Sequence, residues 1–149
     1  MKIYIASDHA GFDLKQKLIP FILGLGHAVS DEGDYNSDKD DDYPDFIGKV
    51  ATEVSKDSSS KGIIIGGSGE GEAICANRFK GVRAVVYYGG NRNIISLSRE
   101  HNDSNILSLG ARFISEEEAL DAVRAWLETD FSGAERHERR IKKIDTWPK

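Results

Sequence analysis

Residues 62 to 78 read GIIIGGSGEGEAICANR. Gly62-Ile63-Ile64-Ile65 is a short β-branched run, the pattern of a strand buried on both faces. Gly66 to Gly71 then puts four glycines into six residues, with Ser68 among them, a turn whose backbone can approach a ligand closely. Glu72-Ala73-Ile74-Cys75-Ala76-Asn77 reads as the opening turns of a helix. A strand, a glycine loop and a helix N-terminus in succession leave several backbone N–H groups unpaired around one small cup. Such a cup favours negative charge, whether bound or developing during a reaction, and the carboxylate of Glu72 stands at its edge.

Two familiar phosphate loops fail against this stretch. Gly66-x4-Gly71 has the opening of a P-loop, but Glu72 and Ala73 stand where Lys and Ser or Thr are required. A carboxylate in the lysine position repels a nucleoside triphosphate. The dinucleotide fingerprint fails as well, because Gly67-x-Gly69 lacks its third glycine. The remaining alternative is a tight turn with a surface glutamate, but the glycine density exceeds what a turn needs.

Outward from this unit, strand-like and helix-like stretches alternate. Lys2 to Ser7 is a strand, and Phe12 to Leu25 carries Leu14, Leu18, Phe21, Ile22 and Leu25 at helical spacing. A short strand follows near Ala28-Val29, then an acidic loop over 31 to 42, then a helix over Pro44 to Ser55. Arg83 to Tyr88 and Asn105 to Leu109 are strands flanking a helix over Asn91 to Glu100. Ser115-Glu116-Glu117-Glu118 is a capping box opening a helix to about Thr129, and a basic helix closes the chain at about 134–145. Strands alternating with helices predict a parallel sheet covered on both faces, an α/β fold. With 149 residues, no repeat and no linker, residues 1–149 form one domain.

The net charge of −5 with mixed signs argues against a general nucleic-acid surface. No apolar run approaches membrane length, no leader pattern is present, and one cysteine, Cys75, excludes a disulfide framework. The chain reads as a soluble cytoplasmic protein.

In open parallel sheets ligands bind beyond the carboxyl ends of the strands. Ser7-Asp8-His9, Gly66 to Glu72 and Gly110-Ala111-Arg112 each follow a strand, and His101-Asn102 closes the helix before the Ile106 strand, so these groups are expected on one rim. Each has a structural alternative. Asp8 could cap the next turn, and His101-Asn102 could be a helix C-terminal pair. Arg136 and Arg140 lie at i and i+4 and could fork a phosphate, or form a solvated face paired with Glu135 and Glu138. Cys75 is read as a small buried hydrophobe, and the DKDDD run at 38 to 42 as a solvated loop without the pattern of a calcium site. No metal site is expected, since neither H-E-x-x-H nor paired cysteines occur.

SDHAGF at 7 to 12, DYPDF at 42 to 46, GGSGEGE at 66 to 72, ANRFKGVRA at 76 to 84, SREHNDSNILSLGAR at 98 to 112 and ERHERRI at 135 to 141 together resemble the ribose-5-phosphate isomerase B family, which includes galactose-6-phosphate isomerase subunits and allose-phosphate isomerases. The resemblance implies a Rossmann-like, doubly wound α/β/α sandwich on a five-stranded parallel sheet of order 2-1-3-5-4. It implies a homodimer or a dimer of dimers with active sites built from two subunits. It also implies interconversion of D-ribose 5-phosphate and D-ribulose 5-phosphate through an enediolate, without metal or organic cofactor. Allose 6-phosphate and galactose 6-phosphate are the competing substrates, and a non-catalytic sugar-phosphate-binding module is the competing class.

Many members carry a catalytic cysteine at the strand end, in C-G-T-G; here that position is Gly66. A second branch has glycine there and a glutamate base in G-G-S-G-x-G-E, which makes Glu72 the expected base. By the same resemblance Ser68 moves a proton between substrate oxygens, His101 opens the sugar ring with help from Asp8, and the loop residues Gly67, Gly69, Glu70 and Gly71 and also Asn102 line the reacting end. His9, Arg112, Arg136 and Arg140 hold the phosphate, with Tyr43 and His137 nearby.

Overall fold

Ile63, Ile64 and Ile65 are all fully buried, and the strand they form, β3 (Lys61–Gly66), lies at the centre of the sheet. The computed structural model describes residues 1–147 of the chain. Around β3 are β1 (Lys2–Ser7), β2 (Ala28–Asp31), β4 (Ala84–Tyr87) and β5 (Ile106–Gly110), all parallel, in the order β2-β1-β3-β5-β4. The expected α/β sandwich and its strand order are thus the observed ones.

Side chains alternate across a strand, so each strand feeds two cores. Ile3, Ile5, Ile63, Ile65, Leu107 and Leu109 face helices α1 (Phe12–Gly24) and α5 (Glu116–Glu128), whose Leu18, Ile22, Val123 and Trp126 complete that core. Tyr4, Ala6, Ile64 and Ile106 face α2 (Pro44–Lys56), with Ile47, Val50, Ala51 and Val54. Helix α4 (Asn93–Glu100) adds Ile95 to the first core, and α3 (Glu70–Ala76) adds Ala76 to the second. No helix among the described residues is long and apolar enough to cross a membrane.

The register fixes the site. Ser7 pairs with Ile65, and Gly66 with Gly110, so three strands end side by side and release their loops at one rim. α3 begins at Glu70, two residues before the expected start, because Gly69 turns the chain at φ +80°. A side chain there would also press on Ser108 Oγ and the Leu109 backbone. The expected capping box is half formed. Ser115 Oγ accepts from Glu118 N–H at 3.1 Å, but the Glu118 carboxylate accepts from the Tyr87 hydroxyl at 2.7 Å.

The last helix, α6 (Glu135–Thr146), touches the body chiefly through its first turn. His137 is buried there, while Arg139, Arg140, Lys142, Lys143 and Ile144 are exposed.

Sequence periodicity passed over Lys15, which is fully buried. It lies three residues before Leu18 and seven before Ile22, on the inward stripe of α1. Its ammonium donates to Asp31 Oδ1 at 2.7 Å and to the Asp34 carbonyl at 2.5 Å. The acidic loop then folds on itself: Asp31 accepts from Gly33 N–H, and Asp34 from the N–H groups of Asn36 and Asp38. Lys15 thereby anchors the segment that reaches the rim. Lys15→Ala leaves the Asp31 carboxylate without its cation, and urea unfolding should show a loss of about 3 kcal/mol.

Candidate active site

The glycine loop is held from one side by the chain that follows β5. Ala111 N–H donates to the Gly66 carbonyl at 2.9 Å, Arg112 N–H to the Gly67 carbonyl at 3.1 Å, and Ser108 Oγ to the Gly69 carbonyl at 2.6 Å. These bonds turn the loop's carbonyls away and leave its donors free. The N–H groups of Gly67, Ser68 and Gly69 meet no acceptor among the described residues, while Glu70 N–H is engaged by Ser68 Oγ at 3.3 Å.

Glu72, one turn into α3, folds back over Gly66. A β-carbon placed on Gly66 would overlap the Glu72 carboxylate. The carboxylate therefore occupies the volume a side chain at this strand end would fill. It is 4% exposed. Burial pushes its proton affinity above the usual glutamate range, its own backbone N–H opposes this, and the charges of Asp8 and Asp41 push it further up. A carboxyl group tuned this way is a stronger base than an exposed glutamate.

Asp8 follows β1 at the same rim. Its Oδ1 accepts from Gly11 N–H at 3.0 Å, capping the 3-10 turn His9–Gly11, so its structural role and its place in the site coincide. Burial raises its proton affinity as well, against the Gly11 N–H and the charge of His9. Tyr43 lies against the other side of the loop, its hydroxyl 2.9 Å from where a β-carbon on Gly71 would stand. The Arg112 guanidinium lies over Gly67, 3.3 Å from the corresponding point there. It makes no ion pair among the described residues.

Asp41 was not singled out in the sequence. It belongs to the DKDDD run expected to be a solvated loop, and Asp38, Asp40 and Asp42 are indeed exposed. The Asp41 side chain is instead 4% exposed. Its Oδ2 accepts from His9 N–H at 2.8 Å, and its Oδ1 pairs with His9 Nδ1 at 2.7 Å. The only signal in the sequence was its place two residues before Tyr43. Asp8, His9 and Asp41 are the one group of metal-type donors that converges among the described residues, within 4.8 Å. Asp8 Oδ1 and His9 Nδ1 already hold the hydrogen bonds described, so the group reads as an ion-pair cluster. Cys75 sits half-buried at the edge of the second core, and burial followed by the Glu72 charge pushes its thiol away from ionisation.

The remaining candidates form a second group elsewhere, which corrects the expectation of a single rim. α4 runs antiparallel to the strands, so His101 and Asn102 at its C-terminal end lie where β5 begins, not where it ends. The five residues of β5 span roughly 16 Å between the two ends of the sheet. Here the His101 and His137 rings stack at 4.3 Å between centroids, with 13° between planes. Arg136 Nε reaches His137 Nε2 at 3.2 Å. Burial, then the charges of His101, Arg136 and Arg140, pushes His137 toward its neutral form. Arg136 and Arg140 are exposed and form no ion pair with Glu135 or Glu138, so the basic face is solvated but not self-paired. The Asn102 carbonyl accepts from Arg83 Nε at 3.1 Å.

One chain thus carries a buried carboxylate beside free backbone donors at one end and, at the other, two arginines without an ion pair among the described residues. A groove of about 590 Å³ between α2 and the β1–β2 edge, lined by Tyr4, Glu32, Lys49 and Glu53 among others, contains none of these residues. Cavity size alone does not find this site.

Comparisons with known proteins agree with the architecture. The Ribose/Galactose Isomerase family matches residues 3–144. Ribose-5-phosphate isomerase B of Mycolicibacterium paratuberculosis is 43% identical over 141 residues, covering 95% of this chain and 87% of the relative. Its counterpart in Escherichia coli is 38% identical, covering 96% and 93%. Among solved structures, ribose-5-phosphate isomerase B from Mycoplasma genitalium with bound ribulose-5-phosphate superposes with a TM-score of 0.92 at 39% identity, covering 97% and 93% of the two chains. The Thermotoga maritima ribose 5-phosphate isomerase superposes at 0.90 with 43% identity, covering 98% of each. With the match spanning nearly the whole chain, this protein belongs to the Ribose/Galactose Isomerase family.

Proposed function

We propose that the chain is an aldose-ketose isomerase interconverting D-ribose 5-phosphate and D-ribulose 5-phosphate through an enediolate, with Glu72 as the general base and acid. The observation that carries this reading is the buried Glu72 carboxylate, filling the missing side-chain volume of Gly66 beside free backbone donors. Glu72 takes the proton alpha to the carbonyl and returns it to the neighbouring carbon. The N–H groups of Gly67, Ser68 and Gly69 stabilise the oxyanion that forms, an effect of about 3 kcal/mol per donor in other enzymes. Ser68 passes a proton between the two substrate oxygens. His9 and Arg112 face the phosphate end, and Tyr43 closes the side of the loop.

His101, Asn102, Arg136, His137 and Arg140 serve the glycine loop of a second copy. Their distance from Glu72 within one chain, the lack of carboxylate partners for Arg136 and Arg140, and an α6 that covers little of its own body support a homodimer with shared sites. Ile94, Leu97 and Tyr88 near the β4 edge leave exposed apolar surface for such a contact. Ring opening then pairs Asp8 of one subunit with His101 of the other. The reaction takes place in the cytoplasm and calls on no nucleic acid or membrane.

Turnover of a panel of five- and six-carbon aldose and ketose phosphates tests the reading, with ribose 5-phosphate expected to give the highest kcat/KM. Glu72→Gln should lower kcat by about 10²- to 10⁴-fold while the circular dichroism spectrum is unchanged. The same variant should melt higher than the parent at pH 8. A buried carboxyl with raised proton affinity adds stability below about 4.5, its unfolded value, and loses it as pH rises through the folded value. Glutamine removes that loss.

Gly66→Ala should displace the carboxylate and depress kcat by a similar factor. Mixing Glu72→Gln with Arg140→Ala subunits, each inactive alone, should restore roughly a quarter of wild-type activity. Half of the dimers are then mixed, and each mixed dimer has one of its two sites intact. No recovery would falsify the shared site.

A further inference from the structure

We propose that Asp41 is a positioning residue for anion recognition, clamping His9 so that its outer ring nitrogen and Arg112 meet the substrate phosphate as one cationic pair. This rests on the isomerase reading above for the identity of the anion, though not for the clamp itself. The contact has two points: one carboxylate oxygen holds the His9 main chain and the other holds Nδ1 of its ring. Backbone position and ring rotation are fixed together, and Nε2 is the nitrogen left without a partner among the described residues.

Tautomer logic then gives the clamp a chemical consequence. A neutral imidazole that donates from Nδ1 to Asp41 presents a lone pair at Nε2, which repels a phosphate oxygen. Only the imidazolium donates from both nitrogens. The groups facing His9 are Asp41 from the acidic loop, Asp8 from its own turn and Arg112 from the loop after β5. The Asp41 hydrogen bond is the strongest influence and favours the imidazolium, the Asp8 charge adds to it, and burial and Arg112 oppose it. The Asp41 charge offsets the repulsion that Arg112 exerts on a protonated His9. Its burial next to Asp38, Asp40 and Asp42, which are exposed, fits a residue kept for that contact. Two residues on, the same loop delivers Tyr43 to Gly71.

The test compares wild type, Asp41→Asn and Asp41→Glu. KM for ribose 5-phosphate and the dissociation constant for inorganic phosphate are measured from pH 6 to pH 8.5, and His9 is titrated by NMR without substrate. Asp41→Asn should raise KM and the phosphate dissociation constant by about tenfold at pH 8, approach wild type at pH 6, and change kcat less than KM. The His9 midpoint should fall, and Asp41→Glu should recover part of each effect. In a His9→Gln background, Asp41→Asn should add no further loss of phosphate affinity.

Superimposable pH profiles, an unmoved His9 midpoint, or an equal loss in the His9→Gln background would each overturn the proposal. The titration and phosphate binding need no turnover. A wild-type protein without isomerase activity but with the shifted His9 therefore sinks the isomerase reading and keeps the clamp.

Discussion

A carboxylate can lie against the end of a fully buried strand only where something leaves room for it, and here the room is the absent side chain of Gly66. The other features of the site follow from that placement. β3 is covered on both faces, so Glu72 is dehydrated and its proton affinity rises. The same dehydration means that charge developing beside it needs donors already in place, and the loop's free N–H groups are the donors the proposed reaction would use. The loop keeps them free because its carbonyls are spent on Ala111, Arg112 and Ser108. The pose of the carboxylate beside the loop's free donors is the consequence of one steric exchange between positions 66 and 72. A family branch with a side chain at the first position cannot keep the second in this pose.

Much of this was legible in the sequence because the relevant spacings are short. Strand, glycine loop and helix occupy consecutive residues, and the missing P-loop lysine could be read directly at Glu72. The alternation of strands and helices gave the layer architecture, since parallel strands need crossovers. Asp41 and Lys15 were harder for a physical reason. A carboxylate in an acidic run looks solvated unless its partner is known, and His9 lies thirty-two residues away in the chain. Lys15 looks like a surface lysine until the Asp31 carboxylate and the Asp34 carbonyl are seen around it.

The misplaced pair was His101-Asn102. Reading polar residues near strands as one rim ignores the direction of the intervening helix. In a parallel sheet each crossover returns the chain to the amino end, so a residue that closes a helix and one that closes a strand lie at opposite poles. His101 and Arg112, only eleven positions apart, are separated by the length of β5. Such a separation is an error in a monomeric reading and a resource in a symmetric assembly, where one pole of a subunit can be brought to the other pole of its neighbour.

The hydrogen-bond ladder that ends at Ser7, Gly66 and Gly110 also divides the site by stiffness. The groups proposed to handle the proton are mounted on the carboxyl ends of the central strands and their first loop, and inherit the rigidity of the sheet. The groups proposed to surround the rest of the substrate come from the acidic loop, tied down at Lys15 and His9, and from a helix packed chiefly through its first turn. Segments of that kind open at low free-energy cost, while core strands open only on global unfolding. On the reading proposed above, the proton chemistry rests on the stiff half, and the remaining contacts to substrate rest on the half that opens more easily.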